Sequence, residues 1–334
     1  MNNLKIENLV KSARVLKNSK DLHVIRFYSA FVVISGGKVI KVTDSSMAYC
    51  PLASYLYKGV KNSKSSETEL KRIIKDAVEE KISKYRYFTG KRELFREDIA
   101  VPYGASEIIM YAMNKKIIDS AVVVCEGAGT VIVNKSEVVQ GIGARMNGLF
   151  YTSPIKDIIE RLNKTGSNIV FPNAEINQME GVIKAAKLGY KNIAVTVNAN
   201  MGDDLSKIRK IEKDHNISVT SLVICTTGIS KKRIDEINEY ADIVWSCASQ
   251  GIRKNTGARA ILQLSAAIPV FVLTKKGLDL AAGYCSNEQL IRGLDINKQF
   301  YVSGAGKGIK IRMGNFNSFL REEKLPVRSH KEPR

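Results

Sequence analysis

Three of the five cysteines, Cys125, Cys225 and Cys247, each close a short Val/Ile-rich run. Small or polar residues follow each: Glu126-Gly127, Thr226-Thr227-Gly228 and Ala248-Ser249-Gln250-Gly251. A thiolate is a nucleophile and a soft-metal ligand, and open parallel sheets bind ligands beyond their strand carboxyl ends. Cys125 and Cys247, with Glu126 as an adjacent base, are therefore the candidate catalytic residues. The same rim could hold a metal or an iron–sulfur cluster. Cys50, ahead of Pro51 at a bend, is then the third candidate metal ligand beside Cys125 and Cys247. The competing reading treats each cysteine as a small buried hydrophobe.

Two glycine-rich words suggest a second chemistry. CEGAGTVIV at Cys125–Val133 and QGIGARMNGLFYTSP at Gln140–Pro154 place glycines beside apolar runs, where exposed amides can hold an anion. Gly127, Gly129, Thr130, Gln140, Gly141 and Gly143 are the candidate cofactor-binding residues from these words. Thr226, Thr227, Gly228 and Ser249 join them from the strand ends. Arg145, amid small residues, is the candidate partner of a carboxylate or phosphate. Tight turns and an interdomain ion pair are the structural alternatives. GAGT lacks the GxGxxG spacing and runs into another strand, so no dinucleotide fingerprint is present. His23, His215 and His330 anchor no triad or zinc site. Glu107 and Glu180 could serve as bases or as helix caps.

The elements that would position these residues alternate. Ser120–Cys125, Thr130–Val133, Asn168–Phe171, Asn192–Val197, Thr220–Cys225, Asp242–Cys247 and Pro269–Leu273 read as short buried strands. Helical stretches lie between them, at Ile155–Leu162, Glu180–Leu188, Leu205–His215, Lys231–Tyr240 and Ala258–Leu264. This predicts an α/β body with a mostly parallel sheet flanked by helices. Upstream, Leu4–Lys17 has helical spacing, and Val24–Ile34 and Lys38–Val42 form a hairpin about Gly36-Gly37. Ser66 with Glu69 forms a capping box that opens a basic helix to Ser83. The expected domains are an N-terminal β-hairpin and helical region (1–98), an α/β ligand-binding body (99–283) and a Gly/Lys-rich extension with a basic tail (284–334).

Composition narrows the class. The chain of 334 residues is 44% hydrophobic and 25% charged, which excludes disorder as its main state. No apolar run reaches the length of a membrane span, and the N-terminus lacks a signal-peptide core. An odd number of widely spaced cysteines without a secretion signal argues against structural disulfides. The cytoplasm is the expected compartment. The net charge of +19 invites a nucleic-acid reading. However, the excess lies mainly in Lys58–Arg96 and after Phe300, on helix faces and a tail, without a nucleic-acid-binding signature. Small anionic ligands fit that charge better.

Several words carry a resemblance: YCPL at Tyr49, YGASEII at Tyr103, IIDSAVVVCEGAGTVI at Ile117, VQGIGARMNGL at Val139, INQMEGVIKAAKLGYKNIAVTV at Ile176, TTGIS at Thr226, ADIVWSCASQGIR at Ala241 and PVFVLTKKG at Pro269. Over roughly Val24–Gly277 the chain resembles the methanogenesis marker protein 8 family. It departs from that family's usual words at Cys225, in place of a histidine, and at Asn177, in place of an aspartate. The resemblance implies a role in anaerobic metabolism, as an enzyme or as a maturation factor for a metalloenzyme or cofactor. A noncatalytic assembly subunit is the alternative, and a charge-driven nucleic-acid binder the third.

Overall fold

The structure is a computed structural model and describes residues 7–12, 21–45, 66–202 and 205–328. Two sheets organise it. The smaller has the order β3-β2-β1-β6, with β1 His23–Phe27, β2 Ala30–Ser35, β3 Lys38–Val42 and β6 Gly148–Thr152, all antiparallel. Gly36 and Gly37, both at positive φ, turn β2 into β3. The hydroxyl of Ser66 accepts from the backbone N–H of Glu69 and caps the helix Glu67–Tyr85. That helix lays Ile74, Val78 and Ile82 on Ile25, Val32 and Ile34 of the small sheet.

The larger sheet has eleven strands. At its centre β4 (Ser120–Cys125), β8 (Asn192–Asn198), β9 (Ser218–Ile224) and β10 (Ile243–Trp245) run parallel. Residues of these strands alternate between two cores. Ala121, Val123, Leu222 and Ile243 meet one, with helices Ala105–Asn114, Ser136–Gly143 and Lys275–Gly283; Val122, Val195, Val223 and Val244 meet the other, with helices Gln178–Lys187, Leu205–His215 and Lys231–Tyr240. Burial on both faces explains why these strands read as continuous apolar runs.

The α/β class holds, but the sheet is mixed rather than mostly parallel. β5 (Gly129–Val133) turns back on β4 through three residues, and β11 (Leu262–Leu264) turns into β12 (Val270–Val272) through five. Parallel neighbours require crossovers of a dozen residues or more, so links this short impose antiparallel pairing. β12 also runs antiparallel to β10, which sends Thr274 to the rim opposite Cys247. There its hydroxyl donates to Asp242 at 2.6 Å. The stretch expected as a helix over Ala258–Leu264 instead holds the end of a short turn and β11. β13 (Phe300–Ser303), β14 (Ile309–Met313) and β15 (Phe316–Glu322) extend the same sheet through β11. β7 (Asn168–Ile169) closes its far edge. No described helix is long and apolar enough to cross a membrane.

Candidate functional site

A cavity of about 290 Å³ lies between the carboxyl ends of the parallel strands and the turn joining β1 to β2. Its walls are mostly apolar and include Val123, Leu149, Ile176, Trp245 and Val270. Polar groups enter from separate elements: Arg26 on β1, Arg145 before β6, Asn198 at the end of β8, and Cys225 and Cys247 just beyond β9 and β10. Of the residues singled out in the sequence, Gly143, Arg145, Cys225, Thr227 and Cys247 line it, together with Glu107.

Arg145 sits at positive φ and stacks 4.9 Å from the ring of Tyr85. Its Nη1 is buried without a hydrogen-bond partner among the described residues, and so is Nδ2 of Asn198. Asn198 is itself only 8% exposed. Buried donors are nearly always paired in native proteins, and these two idle donors belong to residues that line one apolar cavity. Arg26 donates to the carbonyl of Thr227 at 3.0 Å. Burial lowers its pKa, and the nearby Cys225 and Cys247 act in the opposite sense.

The two cavity thiols are held alike. Cys225 and Cys247 both adopt positive φ, at 59° and 46°, which is uncommon for residues other than glycine and asparagine. The Thr226 hydroxyl ties the two strand ends together by donating to the carbonyls of Trp245 and Ser246, each at 2.8 Å. Asn200 donates to the carbonyl of Cys225, and Arg253 donates to that of Cys247 at 2.6 Å. Burial pushes the Cys225 thiol up to about 12. Burial raises Cys247 too, against the backbone N–H groups of Thr226 and Cys225. Both are free thiols.

The remaining candidates lie elsewhere. Cys125 is fully buried beside Glu126, away from the cavity lining; burial, then the Glu126 charge, drives its thiol pKa well up. Glu126 forms a buried ion pair with Arg92, whose guanidinium lies 3.6 Å from the centre of the Tyr87 ring. Gly127 and Gly129 form the β4–β5 turn. The N–H of Gly127 donates to Thr152 Oγ1 at 2.7 Å, and the Thr130 hydroxyl donates to Gln178 at 3.0 Å. Gln140 and Gly141 belong to the helix Ser136–Gly143, where Gln140 donates to the carbonyl of Asp98 at 2.7 Å. Ser249 accepts from the N–H of Ile252 at 3.3 Å, and neither it nor Thr226 nor Gly228 is among the residues that line the cavity. Cys50 lies outside the described residues. Among the described residues no three His, Cys, Asp or Glu side chains converge as a metal site.

Sequence reasoning misses Arg26, whose only hint is a charged residue inside the apolar run VIRF, whereas Asn198 falls at a strand carboxyl end, where ligand contacts are expected.

Residues 23–283 match the family described as "Uncharacterized protein conserved in archaea (DUF2099)". The chain belongs to this archaeal family. An "Uncharacterized protein MJ0054" from Methanocaldococcus jannaschii is 37% identical over 262 residues, covering 78% of this chain and 89% of that relative. No solved structure matches.

Proposed function

We propose that this member of the archaeal family binds a small organic anion with an apolar body in the cavity at the parallel strand ends. The observation that carries this reading is a mostly apolar cavity lined by Arg145 and Asn198, each of which keeps an idle buried donor, Nη1 and Nδ2. Specific ligand pockets combine an apolar lining with a few placed polar groups. The thiols of Cys225 and Cys247 border the same space and supply either a nucleophile or a soft donor to what enters it. The resemblance to methanogenesis marker protein 8, together with a methanogen relative, favours a cytoplasmic enzyme or maturation factor in anaerobic cofactor or metalloenzyme metabolism.

The test uses 8-anilinonaphthalene-1-sulfonate, an anion with an apolar body, followed by fluorescence and by the shift in Tm. The expected result is one saturable site that raises Tm. Arg145→Ala and Asn198→Ala should each weaken it. Arg145→Lys should weaken it as well, because an ammonium does not reproduce the planar fork. Affinity unchanged in all three folded variants would remove the cavity from this role.

A further inference from the structure

We propose that Cys225 and Cys247 together bind one univalent soft metal ion, of the copper(I) class, as a two-coordinate bis-thiolate whose charge is met by Arg26. The proposal deepens the reading of the cavity as a ligand site and rests on it, but it uses different side chains.

The topology brings the two residues to adjoining strand ends. β9 and β10 are parallel neighbours, with Leu222 level with Ile243 and Val223 level with Val244, and they end at Ile224 and Trp245. Beyond those ends both cysteines adopt positive φ, which takes them out of the face-to-face alternation of a regular strand, and both line the same cavity. That conformation costs free energy in a non-glycine residue and collects at functional sites. Here it is held by the bonds from Thr226, Asn200 and Arg253. Gly148 leaves room for one sulfur, because a Cβ there would fall 2.6 Å from Cys225 Sγ.

Charge and coordination number select the ion. On binding, two S–H bonds break, two metal–sulfur bonds form and two protons pass to water; nothing is oxidised or reduced. A univalent ion between two thiolates leaves a net charge of −1, and Arg26 lines the same cavity, donating to the carbonyl of Thr227 two residues beyond Cys225. A divalent ion would be neutral with two thiolates and would need further ligands. No third His, Cys, Asp or Glu joins the pair among the described residues. Thiolates favour copper(I) over hard cations.

The full chain would be titrated anaerobically with copper(I) buffered by bathocuproine disulfonate. The expected result is one ion per chain, with X-ray absorption showing two sulfur neighbours. Cys225→Ser and Cys247→Ser should each abolish binding, whereas Cys125→Ser and Cys285→Ser should keep it. Arg26→Ala should weaken it about tenfold or more and Arg26→Lys should restore it, as expected of a close charge pair. Arg145→Ala should keep the ion even where it loses the sulfonate probe, which separates the two proposals. Should a cysteine variant not fold, alkylation mapping of the wild type replaces it, with copper(I) protecting Cys225 and Cys247. Absence of binding, binding that survives the double serine variant, or unchanged alkylation would each overturn the proposal.

Discussion

Arg92 and Glu126 meet as a buried ion pair, with side chains only 1% and 0% exposed. The same guanidinium donates to the carbonyls of Gly141 and Ile142 at 2.9 and 3.1 Å. It thereby clamps the segment before the first long helix of the main body to the end of β4 and to the helix Ser136–Gly143. Breaking a buried pair strands a charge, which typically costs about 3–5 kcal/mol, whereas replacing both partners with apolar groups costs far less. Glu126→Leu should therefore lower stability by roughly that amount. Adding Arg92→Met should recover much of it. Urea unfolding of the two variants decides: equal stability of the single and double variants would remove the pair as the reason Glu126 is there.

Gly141 makes a related contact by having no side chain. A Cβ there would fall 2.0 Å from the carbonyl oxygen of Leu94, a backbone atom that cannot step aside. Gly141→Ala should destabilise by about 1–3 kcal/mol, the usual range for overpacking. Its effect on binding of the sulfonate probe should be small once the comparison is made at equal folded fraction. A loss of affinity without a loss of Tm would instead give this glycine a ligand role.

The contrast between Gly141 and Arg145 shows what the sequence revealed. The run Gln140–Pro154 stands out by its glycines, but they divide: Gly141 serves helix packing, whereas Gly143 and Gly148 line the cavity together with Arg145. Helix and loop share the same small residues here, so spacing could not separate them. The four parallel strands were legible because burial on both faces demands unbroken apolar runs. The direction of β12 was not. It depends on the short link from β11, and Leu262–Leu264 lies in a stretch whose spacing predicts a helix. Cys125 and Cys247 looked equivalent in sequence because both close strands. Only the third dimension shows that Cys125 points into a core and Cys247 into a cavity.

That difference should appear in thiol chemistry. Burial raises all three strand-end thiols, Cys125 most plainly, and the thiolate is the species that reacts. With iodoacetamide at pH 7.5 and no metal, Cys125 should stay unlabelled in the native protein and react only on unfolding. Cys225 and Cys247 should label slowly through the cavity, at rates that climb as pH rises toward the raised thiol pKa values. Fast labelling of Cys125 at neutral pH would show that its site opens to solvent.

Lys81 carries the last prediction. It is 1% exposed, on the inner face of the helix Glu67–Tyr85, and donates to the carbonyl of Arg145 and to Asn147, both on the segment that borders the cavity. Burial, reinforced by the charges of Arg92 and Arg145 and opposed by Glu126, pulls its pKa down to about 7 from 10.5. A folded-state pKa below the unfolded one means that the unfolded chain holds more protons between those two values, so stability rises with pH across that window. Relative to Lys81→Met, which cannot titrate, the wild type should gain stability steadily from about pH 7 to about pH 10.5 and then level off. Below pH 7 the two should differ by a constant amount, with the wild type bearing the full cost of a buried ammonium. Urea midpoints at pH 6, 8 and 9.5 measure it. Parallel pH profiles for the two proteins would mean that Lys81 keeps an ordinary lysine pKa and that its hydrogen bonds to Arg145 and Asn147 already compensate for burial.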